Sequence, residues 1–449
     1  MGIERGQSQS VRGAFIPAVL LSVSLNPLNS ATISVGLAVL LEVLHASSVG
    51  ITWIVSGYYL GSAVAQPIMG ALGDRLGYRR FAYVGLFLVL MTAILVPLSH
   101  NLWVFVGWRV VQAVGTSMVY PNAIGLVRRY QAHRLSQVLG WIGMAAGVAL
   151  AVGPALGGLL LGAFGWPAIF WLNIPIAIAA GILLALSVPQ DVARPRPRDV
   201  GWDWSGSVFF TLTMIFLLLA TSGTVPGESL WLALLGLLAL GLLIAMERRK
   251  ARPVIPVRWF REVSFAAVAG ATILTNVVMY VVLYGVPVVL ETRRHVSVSE
   301  SGLMLLIFAG VMGLASPLGG RISRGSLRRL PYMGAALVLL LATLLAWLGE
   351  HGSLIWVALA LAFMGLSFAI SNVVLQQMIL EVRPEKEAGS ASGLYSLLRY
   401  VGTMASSVVI TLAFRAPQRL WVLYGGVVIC SLGALWLGWL FPRVRGATP

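Results

Sequence analysis

Two arginines, Arg109 and Arg399, stand inside long apolar stretches, in Trp108-Arg109-Val110-Val111-Gln112 and Ser396-Leu397-Leu398-Arg399-Tyr400. A guanidinium keeps its proton at any ordinary pH, so at depth it can bind anions and polar groups but cannot carry protons. At the centre of a bilayer it costs about 2.5–3.5 kcal/mol, tolerated where it faces a cavity or a partner. The alternative for each is that its stem snorkels the charge to an interface. Groups that could carry a proton are placed elsewhere. None of the fifteen carboxylates falls in the middle of an apolar stretch: Glu42, Glu291 and Glu350 stand at one set of ends, Asp203, Glu262 and Glu381 at the other. The five histidines (His45, His100, His133, His295, His351) fall in expected loops. Other polar candidates to face a cavity are the amides Asn26, Asn29, Gln66, Gln112, Asn276, Asn372, Gln376 and Gln377. Each can serve as a helix–helix hydrogen bond or as a ligand contact. The aromatics Trp53, Tyr58, Tyr59, Tyr120, Tyr280 and Tyr284 could line an apolar cavity. Cys430 is the single cysteine, and no nucleophile, metal cluster or acid–base pair is assembled. Neither an enzyme nor a cofactor is expected.

The elements that must position these groups follow from composition. Hydrophobic residues make up 58% of the 449, charged residues 10%, and mean hydropathy is +0.89. A soluble domain carries roughly a quarter charged residues, so the chain is read as an integral membrane protein. The polar stretch Met1 to Gly13 precedes an apolar run too long for a signal-peptide core, read as a first spanning helix. About 20 apolar residues cross the hydrocarbon core. Candidate spans fall at 14–41, 51–72, 81–99, 103–127, 136–161, 168–187, 205–222, 229–246, 263–290, 300–319, 331–349, 354–380, 389–413 and 421–441, fourteen in all. Connections on one side hold 25 of the 31 lysines and arginines and those on the other hold 4, with Arg109 and Arg399 inside spans. The positive-inside rule then places both termini in the cytoplasm. The net charge of +16 is topological, with contact to anionic lipid heads; nucleic acid is not expected as a partner.

Between the second and third spans lies Gly70-Ala71-Leu72-Gly73-Asp74-Arg75-Leu76-Gly77-Tyr78-Arg79-Arg80, read as a short hinge in which glycines permit the reversal. Asp74 can meet a helix N-terminus or nearby basic groups. The pattern closely resembles the loop between the second and third helices of major facilitator superfamily transporters. The resemblance implies that Gly70, Gly73, Asp74, Arg75, Gly77, Arg79 and Arg80 form a conformational latch. The strip recurs 249 residues later as Ser323-Arg324, Arg328-Arg329, Tyr332 and Gly334, without the aspartate. Two six-helix halves are expected at 14–187 and 263–441, with a linker and two inserted helices at 188–262.

Three further segments sharpen the resemblance. Gly143, Gly147, Gly153, Pro154, Gly157 and Gly158 place small residues on one helix face, with a Gly-Pro that interrupts the hydrogen-bond ladder and permits a bend. They are similar to the fifth-helix antiporter signature of drug exporters, with plain close packing as the alternative. Arg109 and Gln112 resemble the fourth-helix motif associated with proton coupling, Ala113 standing where glycine is frequent. Gly165 to Pro175 is similar to the opening of the sixth helix in the fourteen-helix drug:proton antiporter family, with Pro167 in place of arginine.

The resemblance implies an all-α monomer of the major facilitator fold in the plasma membrane. It would export small hydrophobic or amphipathic compounds by alternating access, coupled to protons. One departure bears on the coupling. Where the family's first helix carries an acid, this chain has Asn29. Either Glu42 or Asp74 is carried into a cavity by the fold, or the protein is uncoupled, or coupling runs through the substrate's own charge. Two membrane arginines without a buried acid favour an anionic or neutral substrate over lipophilic cations. The competing classes are a facilitative carrier and a non-transporting scaffold or sensor of the same fold.

Overall fold

The computed structural model describes residues 13–46, 48–189, 203–222, 229–250, 253–323, 329–351, 353–381, 385–414 and 420–441. The linker Asp191 to Asp199 and the basic residues Arg324, Arg328, Arg415 and Arg419 lie outside them, as do the side chains of Tyr284 and Glu350. The regular secondary structure of the described residues is all helical. In the first half run α1 (Phe15–Val43), α2 (Ser48–Leu76), α3 (Tyr78–Leu95), α4 (Leu102–Tyr130), α5 (Leu135–Phe164), α6 (Ala168–Trp171) and α7 (Asn173–Ser187). Then come α8 (Trp204–Ser222) and α9 (Ser229–Glu247). The second half runs α10 (Val263–Arg293), α11 (Val298–Ile322), α12 (Arg329–His351), α13 (Leu354–Glu381), α14 (Ala388–Phe414) and α15 (Leu420–Trp439). Each apolar stretch of the sequence coincides with helical backbone, and ten helices among the described residues are long and apolar enough to cross a membrane. The apolar helices within α8 and α15 are shorter. Large side chains such as Leu159, Leu314 and Ile429 are exposed on the outside, as a chain in contact with lipid requires.

Local chemistry sets several helix ends. The Asn101 side chain accepts from the Trp103 and Val104 amides, and Ser297 with Glu300 forms a reciprocal capping box. Gly77 has φ 110°, a conformation that a side chain resists, and it alone carries the chain from α2 into α3. This corrects the hinge expected at 70–80. Residues 70–76 are the last turns of α2, because Gly70 and Gly73 are needed for close approach and not for a turn. The space a Cβ on Gly70 would fill is occupied by the Gly389 carbonyl, and on Gly73 by the Asn122 side chain. Pro154 stands inside α5, which continues through it; the proline leaves out one bond of the ladder, as membrane helices tolerate. A second correction concerns His351, which ends α12 and is not in a loop.

The two halves pack by one pattern. In the first, α2 and α3 pack on α4, α5 and α7 on α1, and α3 on α7; in the second, α11 and α12 pack on α13, α14 and α15 on α10, and α12 on α15. The correspondence of α1 to α5 with α10 to α14, and of α7 with α15, holds for every one of these pairs. The halves meet through α2 against α14 and α5 against α11, pairs that exchange under the same correspondence. The helices α8 and α9 pack on each other, with α8 also touching α2 and α14 beside this seam.

Candidate functional site

At the basic end of the molecule the seam is closed. Asp74, in the last turn of α2, meets the N-terminus of α14: its Oδ1 accepts from the Gly389 amide at 2.8 Å, and its Oδ2 accepts from the Ser390 amide at 2.8 Å and from the Ser390 hydroxyl. Tyr78 at the start of α3 donates to Oδ1 at 2.7 Å. A carboxylate at a helix N-terminus is favoured by the exposed N–H groups and the helix dipole. Gly70 approaches Gly389, and Gly393 approaches Gln66 and Pro67, backbone to backbone. Across the other seam Gly140 lies against Ser316 and Pro317, Gly320 against Ser136, and Gly147 against Gly313. Arg79 lies over the Tyr83 ring at 5.3 Å.

Below this closure, one polar cluster is sealed inside the first half. Asn29 and Asn173 exchange side-chain hydrogen bonds at 2.9 and 3.0 Å, and Gln112 Nε2 donates to Asn29 Oδ1 at 3.4 Å. Arg109 Nη1 donates to Gln112 Oε1 at 2.5 Å, and its guanidinium carbon lies 4.3 Å from the centre of the Tyr58 ring. Arg109 is 1% exposed and its Nε has no partner. No carboxylate among the described residues pairs with it. Arg109 therefore does not snorkel to an interface. It is held by a ring and an amide, and Gln112 links it to Asn29.

A cavity of about 200 Å³ lies between the halves. It is lined by α1, α2, α4 and α5 from one side and by α10, α11, α13 and α14 from the other. Arg399 is in its wall, and Nε donates to Asn276 Oδ1 at 3.4 Å. The cavity also exposes Asn26, Gln66, Asn372 and Gln376, all expected from the sequence. Three expected residues do not line this cavity: Asn29, Arg109 and Gln112 lie behind its wall, and Asn276 reaches it through Arg399. Glu42 and Asp74 are not brought there either. Of the aromatics, Tyr59, Tyr120 and Tyr280 line it, Tyr58 is buried over Arg109, and Trp53 packs against Trp103. Sequence reasoning missed Tyr395 and Tyr400. Their spacing of four before and one after Arg399 was the available signal, since it puts them around the guanidinium on one helix.

The α5 glycines divide between two partners. Gly143 and Gly147 face α11, whereas Gly153 packs on Ala31 and Gly157 on Thr32 of α1. Gly158 has only an ordinary contact with Val35. The model of the Major Facilitator Superfamily matches residues 19–407. The chain belongs to this superfamily. A relative of this superfamily member in Bacillus subtilis (strain 168), described as the uncharacterized MFS-type transporter YwoD, is 34% identical over 91% of each chain. The tetracenomycin C resistance and export protein of Streptomyces glaucescens is 30% identical over 91% of this chain and 78% of its own length. Among solved structures the proton:xylose symporter XylE aligns with a TM-score of 0.70 over 97% of both chains at 15% identity, a likeness of fold. The chain is thus a multi-span membrane transporter of this superfamily, and its homologues include drug resistance exporters.

The inserted pair carries a feature that the sequence did not reveal. Asp203 and Glu247, 8% and 0% exposed, converge on Gly206, with Lys250 paired to Asp203 and the Ile255 amide donating to Glu247 at 3.2 Å. Burial pushes the Asp203 carboxyl up, but its hydrogen bonds to Glu247, Lys250 and the Gly206 amide outweigh this and hold it below the usual carboxylate range.

Proposed function

We propose that this transporter exports small hydrophobic or amphipathic compounds across the plasma membrane by alternating access, with fourteen helices in the membrane and the basic end in the cytoplasm. The observation that carries the reading is a cavity walled by both halves and closed at the basic end by Asp74 on the α14 N-terminus. Residues 14–187 and 263–441 would rock as units about that cavity. Asp74 and its neighbours Gly70, Gly73, Arg75, Gly77, Arg79 and Arg80 serve as the latch of the outward-facing state. The export direction is supported by relatives named for resistance to tetracenomycin C and methyl viologen. Lysine and arginine at the basic end support the cytoplasmic assignment.

Proton coupling, implied by the resemblance, needs a titratable group that meets each side in turn. No aspartate, glutamate or histidine is among the described residues that line the cavity. That lining favours a second mode, coupling through the charge of the substrate. Purified protein in vesicles with an imposed pH gradient separates the modes. Flux driven by the gradient supports proton exchange, flux indifferent to it supports the second mode, and no flux with a broad compound panel supports a scaffold or sensor.

A further inference from the structure

The central cavity has one cationic side chain in its wall and no anionic one among the described residues. We infer that its substrate is an amphipathic organic monoanion, a carboxylate or sulfonate on an aromatic or alicyclic body, bound with its charge on Arg399 and exported by the membrane potential. The inference rests on the transport reading above and narrows it to a substrate class.

The Arg399 geometry comes first. Its one hydrogen bond to a described residue leaves from Nε, toward Asn276. The two terminal nitrogens, the pair that grips a carboxylate in the bidentate manner, are not spent on it. Its other contact is with the Tyr395 ring, 6.0 Å from the guanidinium carbon. Tyrosines supply further donors. The Tyr400 hydroxyl accepts from Gln66 Nε2 at 3.2 Å and the Tyr120 hydroxyl accepts from Gln376 Nε2 at 3.1 Å, so each retains its own proton to donate. The rest of the wall is apolar or aromatic, including Leu139, Ile142, Met279 and Phe368, a surface suited to a hydrophobic body.

Electrostatics point the same way. Arg109 is a second buried cation behind the first-half wall, and no acid among the described residues neutralises it. Uncompensated buried charge is costly, and a bound anion would supply the missing countercharge. A lipophilic cation entering the cavity would meet Arg399 in its wall and the field of Arg109 behind it.

Energetics remove the need for a protonatable group. In a cell with a negative interior, an anion moves outward downhill. A potential of about 100 mV sustains roughly a 50-fold outward gradient of a monovalent anion, about 2.3 kcal/mol. The arginines stay with the protein, so each cycle moves only the substrate's charge. An exporter of anions can therefore run with Asn29 where an acid would otherwise stand.

The test uses the full-length protein in vesicles, with a potassium diffusion potential set by valinomycin and the pH clamped equal on both sides. Three probes share one body: 1-naphthoate, 1-naphthamide and 1-naphthylmethylammonium. The expected result is saturable naphthoate flux at least tenfold above that of the ammonium probe, reversing when the potential is reversed. Arg399→Gln should weaken naphthoate binding by roughly 10- to 100-fold, the worth of a charge-assisted hydrogen bond, and so abolish the preference for naphthoate over naphthamide. Arg399→Lys should keep the anion preference, which separates lost charge from lost fold. Flux confined to the neutral or ammonium probe overturns the anion assignment and leaves the transport reading standing. No flux of any probe through folded protein overturns both.

Discussion

Asp74 shows what one carboxylate does at the seam. It takes two backbone amides and a hydroxyl from α14 and so ties the two halves through a single side chain. An asparagine there would present one acceptor and turn its NH2 toward a donor. With charge-assisted bonds worth about 1.5–3 kcal/mol, Asp74→Asn should shift the ratio of closed to open basic ends by roughly 10- to 100-fold. Turnover in vesicles should fall about tenfold while the amount of protein in the membrane is unchanged; equal transport by the variant would remove the latch assignment. A second residue-scale expectation concerns Asn29. Replacing it by leucine leaves the side chains of Asn173 and Gln112 without the partner they share, at about 1–3 kcal/mol per buried orphan. The unfolding midpoint in detergent should drop by several degrees, and an unchanged midpoint would show the cluster to be dispensable. At this scale the sequence was partly legible. Asp74 stood out because its neighbours form a local pattern, whereas Gly389 and Ser390 stood out from nothing: they lie in the other half and receive the carboxylate through two backbone amides, which any residue has, and one common hydroxyl. Arg399 and four of the cavity amides were read correctly as deep polar groups. That Asn29, Arg109 and Gln112 sit behind the wall was not legible, because spacing along one helix does not say which neighbour covers it.

Helices explain why small residues are placed where they are. The glycines of α5 serve two close approaches, to α11 at the basic end and to α1 further along. Gly147 has the Gly313 backbone where its Cβ would stand, whereas Gly162 has nothing within 4 Å. Gly147→Val should therefore wedge α5 from α11 and lower both the thermal midpoint and transport. Gly162→Ala should be neutral or stabilising by about 0.5–1 kcal/mol, the helix-propensity gain. Equal effects of the two would contradict the packing described. A comparable contact closes the inserted pair, where Asp203 and Glu247 fill the space beside Gly206. Gly206→Ala should push these carboxyl groups apart, loosen α8 from α9 and reduce the thermal midpoint. Helix positions were legible because each apolar stretch is long and bounded by charged, polar or glycine- and proline-bearing connections. The end of α2 was not. Its glycines carry the signature of a turn, and only the partners packed on Gly70 and Gly73 show that they are there to admit another helix. Asp203 and Glu247 lie 44 residues apart in sequence, and no local pattern joins them.

The whole molecule repeats one packing scheme twice, and its seam consists of two helix pairs that exchange under that repetition. This arrangement lets the halves separate at one end by rotation without disturbing the packing inside either. The echo of Asp74-Arg75 to Gly85 at Ser323-Arg324 to Gly334 pointed to the repetition in the sequence. The position of α8 beside α2 and α14 could not be read there, because a lipid-facing apolar helix carries no mark of its neighbour. The central claim is that the basic ends of the two halves part and rejoin during transport. Spin labels at the exposed positions Arg134 and Lys386, in a Cys430→Ser background, report the distance between them directly. The account predicts two distances, the shorter one matching the closed seam, with the longer one enriched by Asp74→Asn. A single distance that neither substrate nor that substitution changes would contradict it.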